Sequence, residues 1–178
     1  MRFTPPSPLL TGKLIIDLDP SPALAKTRTN FLALCTGEKG ACKNAPNKRL
    51  HYKGCSIHRV AKSFVFQGGD VTRGDGSGGE SIYGGKFADE KQGLKNKAVK
   101  GSVAMANSGK NSNSSQFFVV MTDDAAKMAK LSGKYVVLGT VKFDEEGLAQ
   151  RTLDRIDALA VGDGRPSSPI WIGECGVL

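Results

Sequence analysis

Two polar-rich stretches carry the side chains that could do chemistry, because their polar residues interrupt strand-like apolar runs. They are residues 57–70, IHRVAKSFVFQGGD, and residues 104–118, AMANSGKNSNSSQFF. Alternation along a strand would turn three polar side chains toward a common groove: Arg59, Gln67 and Gln116. It would place three rings against apolar surroundings: Phe64, Phe66 and Phe118. A guanidinium beside rings and amides suits a neutral peptide better than a metal ion or a phosphate.

The elements that must position these residues are predicted to be short strands between glycine-rich turns. Glycines cluster between residues 68 and 85, as expected for successive tight turns. Six runs have the composition of strands: residues 14–18, 63–67, 101–105, 116–121, 135–141 and 169–173. Many short strands with such connections favour a β-barrel or a β-sandwich.

Two segments have helical rather than strand-like periodicity. In the first, Ser21 is a typical N-cap, Pro22 suits the first helical position and Gly37 is a typical stop. In the second, the acidic residues 144–146 complement a helix dipole, and an apolar stripe follows before Gly162. Its members are Leu148, Thr152, Leu153, Ile156 and Leu159. We expect these two helices to close the ends of a barrel.

Composition narrows the class of protein without naming a function. The chain has 178 residues, a net charge of +8 and four cysteines, too few for a disulfide scaffold. No apolar run is long enough to cross a membrane, and the first residues do not resemble a signal peptide. We therefore expect a single-domain cytoplasmic protein with no membrane partner. The basic charge permits a nucleic-acid partner but does not require one.

Three ordered motifs carry a resemblance to a known family. They are FVFQGGDVTRGDGSGGESIYG, SVAMANSGKNSNSSQFF and GKYVVLGTV. From about Gly12 to the C-terminus the chain closely resembles the cyclophilins, the cyclosporin-binding peptidyl-prolyl cis-trans isomerases. The resemblance implies an eight-stranded antiparallel closed barrel capped by two α-helices over residues 12–178, after a short extension at residues 1–11. It also implies a cofactor-free monomer that assists protein folding, acts on proline-containing peptides and proteins, and binds cyclosporin A.

The resemblance assigns roles to individual residues. It implies that Arg59 is the catalytic arginine and that Gln67 orients it and contacts the substrate backbone. It also implies that the backbone of Asn107 holds the peptide beside the proline, and that Phe64 is a catalytic wall of the proline pocket. Other positions are implied to bind substrate: His58, Val65, Ala106, Gln116, Phe118 and Leu131.

The sequence departs from the family pattern near this pocket. Lys130 stands where many members have a tryptophan, and Tyr135 replaces a common histidine. Both are expected to line the substrate site, with Tyr135 preserving the pocket and Lys130 weakening cyclosporin binding. The N-terminus is short and proline-rich, so an abbreviated or distorted first strand is expected.

Residues 41–50 form an insertion that resembles the extra loop of divergent-loop cyclophilins. In that subgroup a glutamate matching Glu80 tethers the loop, and cysteines matching Cys35 and Cys175 are a proposed redox switch. A Cys35–Cys175 disulfide under oxidation is therefore a hypothesis, against the simpler interpretation of Cys35 as a buried thiol. Cys42, within the insertion, is expected to be exposed.

Other interpretations of the sequence remain open. A cyclophilin-like module could hold proline-containing segments with little turnover, and a basic protein could associate with nucleic acid. His51, Cys55 and His58 invite a zinc interpretation, but their spacing is irregular and we expect no metal. Gly74, Gly76 and Gly79 match a dinucleotide-binding pattern that leads into no helix, so we assign them to turns.

Overall fold

The computed structural model describes residues 10–162 and 164–178. Six strands are present in this part of the chain: β1 (Ile16–Leu18), β2 (Ile57–Ala61), β3 (Val65–Gly68), β4 (Ser102–Met105), β5 (Phe117–Val120) and β6 (Val137–Val141). Four α-helices accompany them: α1 (Ala25–Thr36), α2 (Lys91–Lys95), α3 (Ala125–Ala129) and α4 (Leu148–Ala158). A 3-10 turn over Pro22–Leu24 leads into α1. None of the helices in the described ranges is long and apolar enough to cross a membrane.

The six strands form one antiparallel sheet in the order β1-β6-β4-β5-β3-β2. The predicted mainly β antiparallel architecture is confirmed, but eight strands and closure of the barrel are not. Within the described residues β1 and β2 are the two edges and do not pair with each other. The predicted strand at 169–173 is not one of the six strands, but it runs along the β2 edge through an antiparallel bridge between Ser56 and Trp171 and backbone hydrogen bonds from Ile57 to Ile170 and from Ile172 to Cys55. Residues 1–9, which hold most of the predicted N-terminal extension and shortened first strand, lie outside the described residues.

Local capping explains where the two long helices begin and end. Ser21 Oγ accepts a hydrogen bond from the Ala23 amide (3.3 Å), and Gly37 ends α1 in the left-handed conformation with φ of 70°. Asp144 accepts hydrogen bonds from the amides of Leu148 (2.8 Å) and Ala149 (3.0 Å) at the start of α4. The two predicted helices are thereby confirmed. The short helices α2 and α3, five residues each, were not predicted.

The two faces of the central strands carry different apolar groups. One face contributes to a large cluster, here called the Phe117 core, whose central members are Phe31, Leu34, Tyr52, Ile57, Val60, Phe66, Val103, Met105, Phe117, Val119, Leu138 and Leu153. A smaller group, here called the Phe118 cluster, consists of Val65, Ala98, Ala104, Ala106, Phe118, Val120, Leu131 and Val137. Phe66 therefore lies across the sheet from Phe118, although each ring has the predicted apolar surroundings. The strand pleat separates them, because neighbouring residues face opposite sides.

Candidate functional site

A row of paired residues crosses the sheet and joins a cation to the Phe118 cluster. Arg59 on β2 pairs with Gln67 on β3, and Gln67 pairs with Phe118 on β5. Phe118 in turn pairs with Ala104 on β4. Directly paired residues share one face of a sheet, so register alone brings these four side chains into line. The row passes from the exposed Arg59 to the buried Phe118.

A β-bulge in β2 presents two polar residues in succession. Ile57 pairs with Gly68 but Arg59 pairs with Gln67, so His58 is an extra residue without an opposite partner. Ile57 and Val60 both remain buried, while His58 is half-buried and Arg59 is exposed. The apolar residues of β2 thus stay in the Phe117 core while Arg59 joins the row.

The guanidinium of Arg59 makes no hydrogen bond or ion pair with any residue that the structure describes. The chain segment at Gly164 passes beside it, since the Val60 amide donates to the Gly164 carbonyl at 2.7 Å. A Cβ at Gly164 would lie 3.6 Å from Arg59 Cγ. No described residue therefore occupies any of the five N–H groups of this side chain.

A chain of side-chain amides ties the row to the glycine-rich loop. Gln67 Nε2 donates to Gln116 Oε1 at 2.8 Å. Gln116 Nε2 donates to the carbonyls of Gly76 (2.9 Å) and Gly78 (2.6 Å). The predicted neighbours Gln67 and Gln116 do meet, although Gln67 makes its hydrogen bond to Gln116 and none to Arg59 within the described chain. Both amides are held in fixed orientations beside the guanidinium.

Asp70 organises that glycine-rich loop, although Asp70 was not among the predicted site residues. Its Oδ1 accepts from Thr72 N, Thr72 Oγ1 and Arg73 N, and its Oδ2 accepts from the amides of Gly76 and Gly78. Burial by itself raises the pKa of Asp70, but these hydrogen bonds outweigh it and the net pKa lies below 3.8. An aspartate ahead of a glycine run is a typical turn signal that could have identified it.

The apolar end of the row lies in the Phe118 cluster. The rings of Phe118 and Tyr135 meet edge to face, with centroids 5.0 Å apart and planes at 87°. Val65 and Leu131 are buried in the same cluster, and Phe64 packs half-buried at its edge. Lys130, next in the chain to Leu131, is exposed at the end of α3. The structure thus brings together the aromatic and aliphatic residues that the sequence assigned to a proline pocket.

Asn107 follows β4 and offers free backbone groups. Its neighbour Ala106 is buried and donates its amide to the Gln116 carbonyl at 2.9 Å. The Asn107 side chain is held by the Lys134 carbonyl at 3.0 Å and by the Gly109 amide at 3.2 Å. The backbone N–H and C=O of Asn107 make no hydrogen bond within the described residues. An extended peptide could pair with them.

His58 lies against the glycine-rich loop rather than among the apolar residues. A Cβ at Gly76 would come within 2.6 Å of the imidazole, and Gly76 has φ of +90°, so only glycine allows this approach. Burial lowers the pKa of His58 below 6.5, Arg59 lowers it further, and the carboxylates of Asp70 and Asp75 oppose the shift. The imidazole is therefore neutral at pH 7.

The inserted loop is fastened to the body of the protein by Glu80. Its carboxylate is 1% exposed and accepts hydrogen bonds from the amides of Lys43 (2.6 Å) and Asn44 (2.7 Å). Cys42 is only 2% exposed, so the expectation that it is exposed was wrong. It turns inward because the loop folds back, with the Cys42 amide bonded to the Lys48 carbonyl at 2.8 Å.

All four cysteines are free thiols. Cys35 and Cys175 are both half-buried and pack against the Phe117 core. Burial, and secondarily the proximity of Cys175, raise the pKa of Cys35 to about 12. A thiol with this pKa holds very little reactive thiolate at pH 7. The described residues contain no group of three or more His, Cys, Asp or Glu side chains that could hold a metal ion.

Comparison with protein families gives one match over nearly the whole chain. The family model described as Cyclophilin type peptidyl-prolyl cis-trans isomerase/CLD matches residues 7–177. The match includes every element of the sheet and every residue of the site.

Proposed function

The chain belongs to the cyclophilin-type peptidyl-prolyl cis-trans isomerases, and we propose that it rotates X–Pro bonds by presenting Arg59 to a proline held on the Phe118 cluster. Membership of this family supports peptidyl-prolyl isomerase activity, EC 5.2.1.8. The proline ring packs against Phe64, Phe118 and Leu131. The backbone of Asn107 pairs with the flanking peptide, and the second N–H of the Gln67 amide contacts a peptide carbonyl while Gln116 holds Gln67 in place.

Rotation of the X–Pro bond is accelerated by a hydrogen-bond donor placed at the proline nitrogen. Rotation of the amide destroys its resonance and crosses a barrier of about 18–20 kcal/mol. In the twisted state the nitrogen becomes pyramidal and its lone pair can accept a hydrogen bond, which the planar ground state can hardly do. A guanidinium placed there therefore stabilises the transition state more than the bound substrate.

Arg59 supplies only part of the acceleration. A charge-assisted hydrogen bond contributes about 1.5–3 kcal/mol, which corresponds to about one to two decades of rate. The remainder comes from removing water from the amide within the Phe118 cluster and from anchoring one flank of the peptide on Asn107. No nucleophile, proton transfer or bound cofactor enters this scheme.

The observation that carries the proposal is a guanidinium that has no partner among the described residues and lies in register with a buried aromatic ring. In a coupled assay on an Ala-Pro peptide, Arg59→Ala is expected to lower kcat/KM about 10- to 100-fold. Arg59→Lys should restore part of the loss, and Arg155→Ala, an exposed arginine on α4, should change it less than about twofold. A wild-type rate equal to that of Arg59→Ala would instead favour a module that binds prolines without turning them over.

We propose that cyclosporin A binds weakly, because the exposed Lys130 offers no indole for the drug to contact. Lys130→Trp is expected to lower the cyclosporin concentration for half-inhibition at least about tenfold, the worth of one buried aromatic contact. Lys134→Trp, an exposed lysine nearby, is the matched control. Equal inhibition of wild type and Lys130→Trp would contradict the proposal.

Several finer properties stay predictions from the sequence. They are assistance of protein folding, a monomeric state, a cytoplasmic location, the domain limits at 11 and 12, membership of the divergent-loop subgroup and the Cys35–Cys175 redox pair. The raised pKa of Cys35 predicts that such a disulfide forms slowly at pH 7.

A further inference from the structure

A second concave site lies on the far side of the glycine-rich loop from Gln116. It is a cavity of about 340 Å³ with three walls. Residues 47–49 of the inserted loop form one wall, residues 70–74 form the opposite wall, and His51 with residues 53–56 forms the floor. None of the residues that line it belongs to the Arg59 row or to the Phe118 cluster. Its volume falls in the range of small-ligand sites.

The charge around this cavity has one dominant sign. Four cationic side chains line it: Lys48, Arg49, Lys53 and Arg73. Asp70 is the one carboxylate among the lining residues, but it is 2% exposed and both its oxygens are occupied by donors from its own loop. Lys53 pairs with Glu174 at 2.6 Å, an exposed contact that water and salt weaken.

The floor adds no competing anion. Cys55 is 8% exposed and its Sγ contacts the His51 carbonyl at 3.4 Å. Burial, aided by the neighbouring Asp70, raises the pKa of Cys55 to about 12, so the thiol is neutral at pH 7. Apart from Asp70, the cavity lining therefore carries no anionic side chain at pH 7.

Both cationic walls are held in place by internal hydrogen bonds. The Glu80 carboxylate and the amides of Lys43 and Asn44 fix the inserted loop, and the Lys48 amide bonds to the Ala45 carbonyl at 2.8 Å. Asp70 fixes the opposite wall through the amides of Thr72 and Arg73. A site formed on fixed walls loses little conformational entropy when a ligand binds.

We propose that this cavity binds a phosphomonoester dianion, with Lys48 and Arg49 on one side and Arg73 on the other. Guanidinium groups match the geometry of phosphate oxygens, and several cations in one lining favour a dianion over a single carboxylate. Arg49 also donates to the Gly37 carbonyl at 3.5 Å and Arg73 to Ser77 Oγ at 3.3 Å, which leaves further N–H groups on each guanidinium. The lining includes no Phe, Tyr or Trp, so a nucleobase would find no aromatic ring to stack on. The volume accommodates a phosphate with a few attached atoms, such as a phosphoserine side chain or a small phosphorylated compound.

The test is an NMR titration with three probes: a proline-free pentapeptide Ala-Gly-phosphoserine-Gly-Ala, its unphosphorylated counterpart and inorganic phosphate. The phosphopeptide is expected to shift the amides of residues 47–49 and 72–74, while the unphosphorylated peptide leaves them unchanged. Rising NaCl should weaken binding. If inorganic phosphate binds as tightly as the phosphopeptide, the natural ligand is a free phosphorylated compound; tighter phosphopeptide binding indicates a polypeptide.

Two pairs of charge-reversal variants, one inside the cavity and one outside it, test the role of the cationic side chains. Lys48→Glu/Arg73→Glu is expected to weaken phosphopeptide binding at least about tenfold, the worth of one charge-assisted hydrogen bond. Lys97→Glu/Lys142→Glu changes net charge equally on exposed residues outside the cavity and should alter affinity less than about twofold. Equal losses in both pairs, or equal binding of both peptides, would overturn the proposal. If the double variant Lys48→Glu/Arg73→Glu does not fold, Lys48→Ala replaces it in the same binding measurement. Arg59→Ala should still bind the phosphopeptide even though its isomerase activity is lost, which separates this inference from the proposed function.

Discussion

Phe117 and Phe118 are neighbours on β5 with nearly equal exposure, 6% and 4%, yet they belong to different parts of the molecule. Phe117 meets two other rings, Phe31 at 5.6 Å and Tyr52 at 5.1 Å between centroids. Phe118 meets only Tyr135 among the described rings and lies in register with Gln67 and Arg59. Burial alone does not separate a structural ring from one that lines a site; strand register does.

Truncating the two rings tests this contrast with the largest expected effects. Phe117→Ala should lower the free energy of unfolding by about 3–5 kcal/mol, because it opens an enclosed cavity among three rings. Phe118→Ala should cost less than Phe117→Ala, because the Phe118 cluster is smaller and is bordered by half-buried residues such as Phe64 and Tyr135. Urea unfolding measures both values.

Kinetics on the folded fraction complete that test. We expect kcat/KM to fall more for Phe118→Ala than for Phe117→Ala, since only Phe118 faces the proposed proline site. If Phe117→Ala, measured under conditions where it is fully folded, loses as much kcat/KM as Phe118→Ala, the contrast between the two faces of the sheet is contradicted.

The buried carboxylate of Glu80 offers a second, intermediate test, since it supports neither ring. Glu80→Gln preserves shape but turns an NH₂ group toward one of the two loop amides it now accepts from. The free energy of unfolding should fall by about 1–3 kcal/mol, the cost of one buried unsatisfied donor. Isomerase activity should stay within about twofold of wild type. Glu145→Gln, on an exposed glutamate, is the control and should leave stability unchanged.

The smallest expected effect is on the pH dependence of stability, and it concerns His58, which precedes Arg59 at the edge of the row. Burial lowers the pKa of His58 in the folded protein below 6.5, so the unfolded chain binds its proton at higher pH than the folded one. The stability that the neutral His58 gives the folded protein is fully present above pH 6.5. It is lost as the pH falls from 6.5 toward the lower pKa that His58 has in the folded protein. Solvent screens the half-buried ring, so the change is small.

Unfolding measured at pH 7.5 and pH 5.5 detects this loss. His58→Gln should reduce the difference between the two pH values, whereas His51→Gln, the other histidine of the chain, should keep it. An undiminished difference in His58→Gln would show that other groups cause the pH dependence.

Structural features that depend on residues close together in the sequence were predictable. Ser21, Gly37 and Asp144 act within four or five residues of themselves, so capping placed both long helices correctly. The site row was only partly predictable: alternation turned Gln67 toward a groove and Phe118 toward apolar groups, but the alignment of the two residues on one face follows from the register of β3 with β5.

Features that depend on distant partners were not predictable. The Gln116 amide is held by carbonyls about forty positions earlier in the chain, and nothing near Gln116 indicates them. Cys42 was assigned to the surface because the insertion is polar, but the fold of the loop turns it inward. The helices α2 and α3 are too short for periodicity to reveal.

The bulge at His58 sets which changes of chain length β2 can accept. Removing His58 would leave Ile57 opposite Gly68 and Arg59 opposite Gln67, so every flanking residue would keep its side. Removing Val60 instead would straighten the ladder and pair Arg59 with Phe66, which faces the Phe117 core. Deletion of His58 therefore preserves the side of every flanking residue whereas deletion of Val60 does not, and the placement of the guanidinium depends on chain length as much as on residue identity.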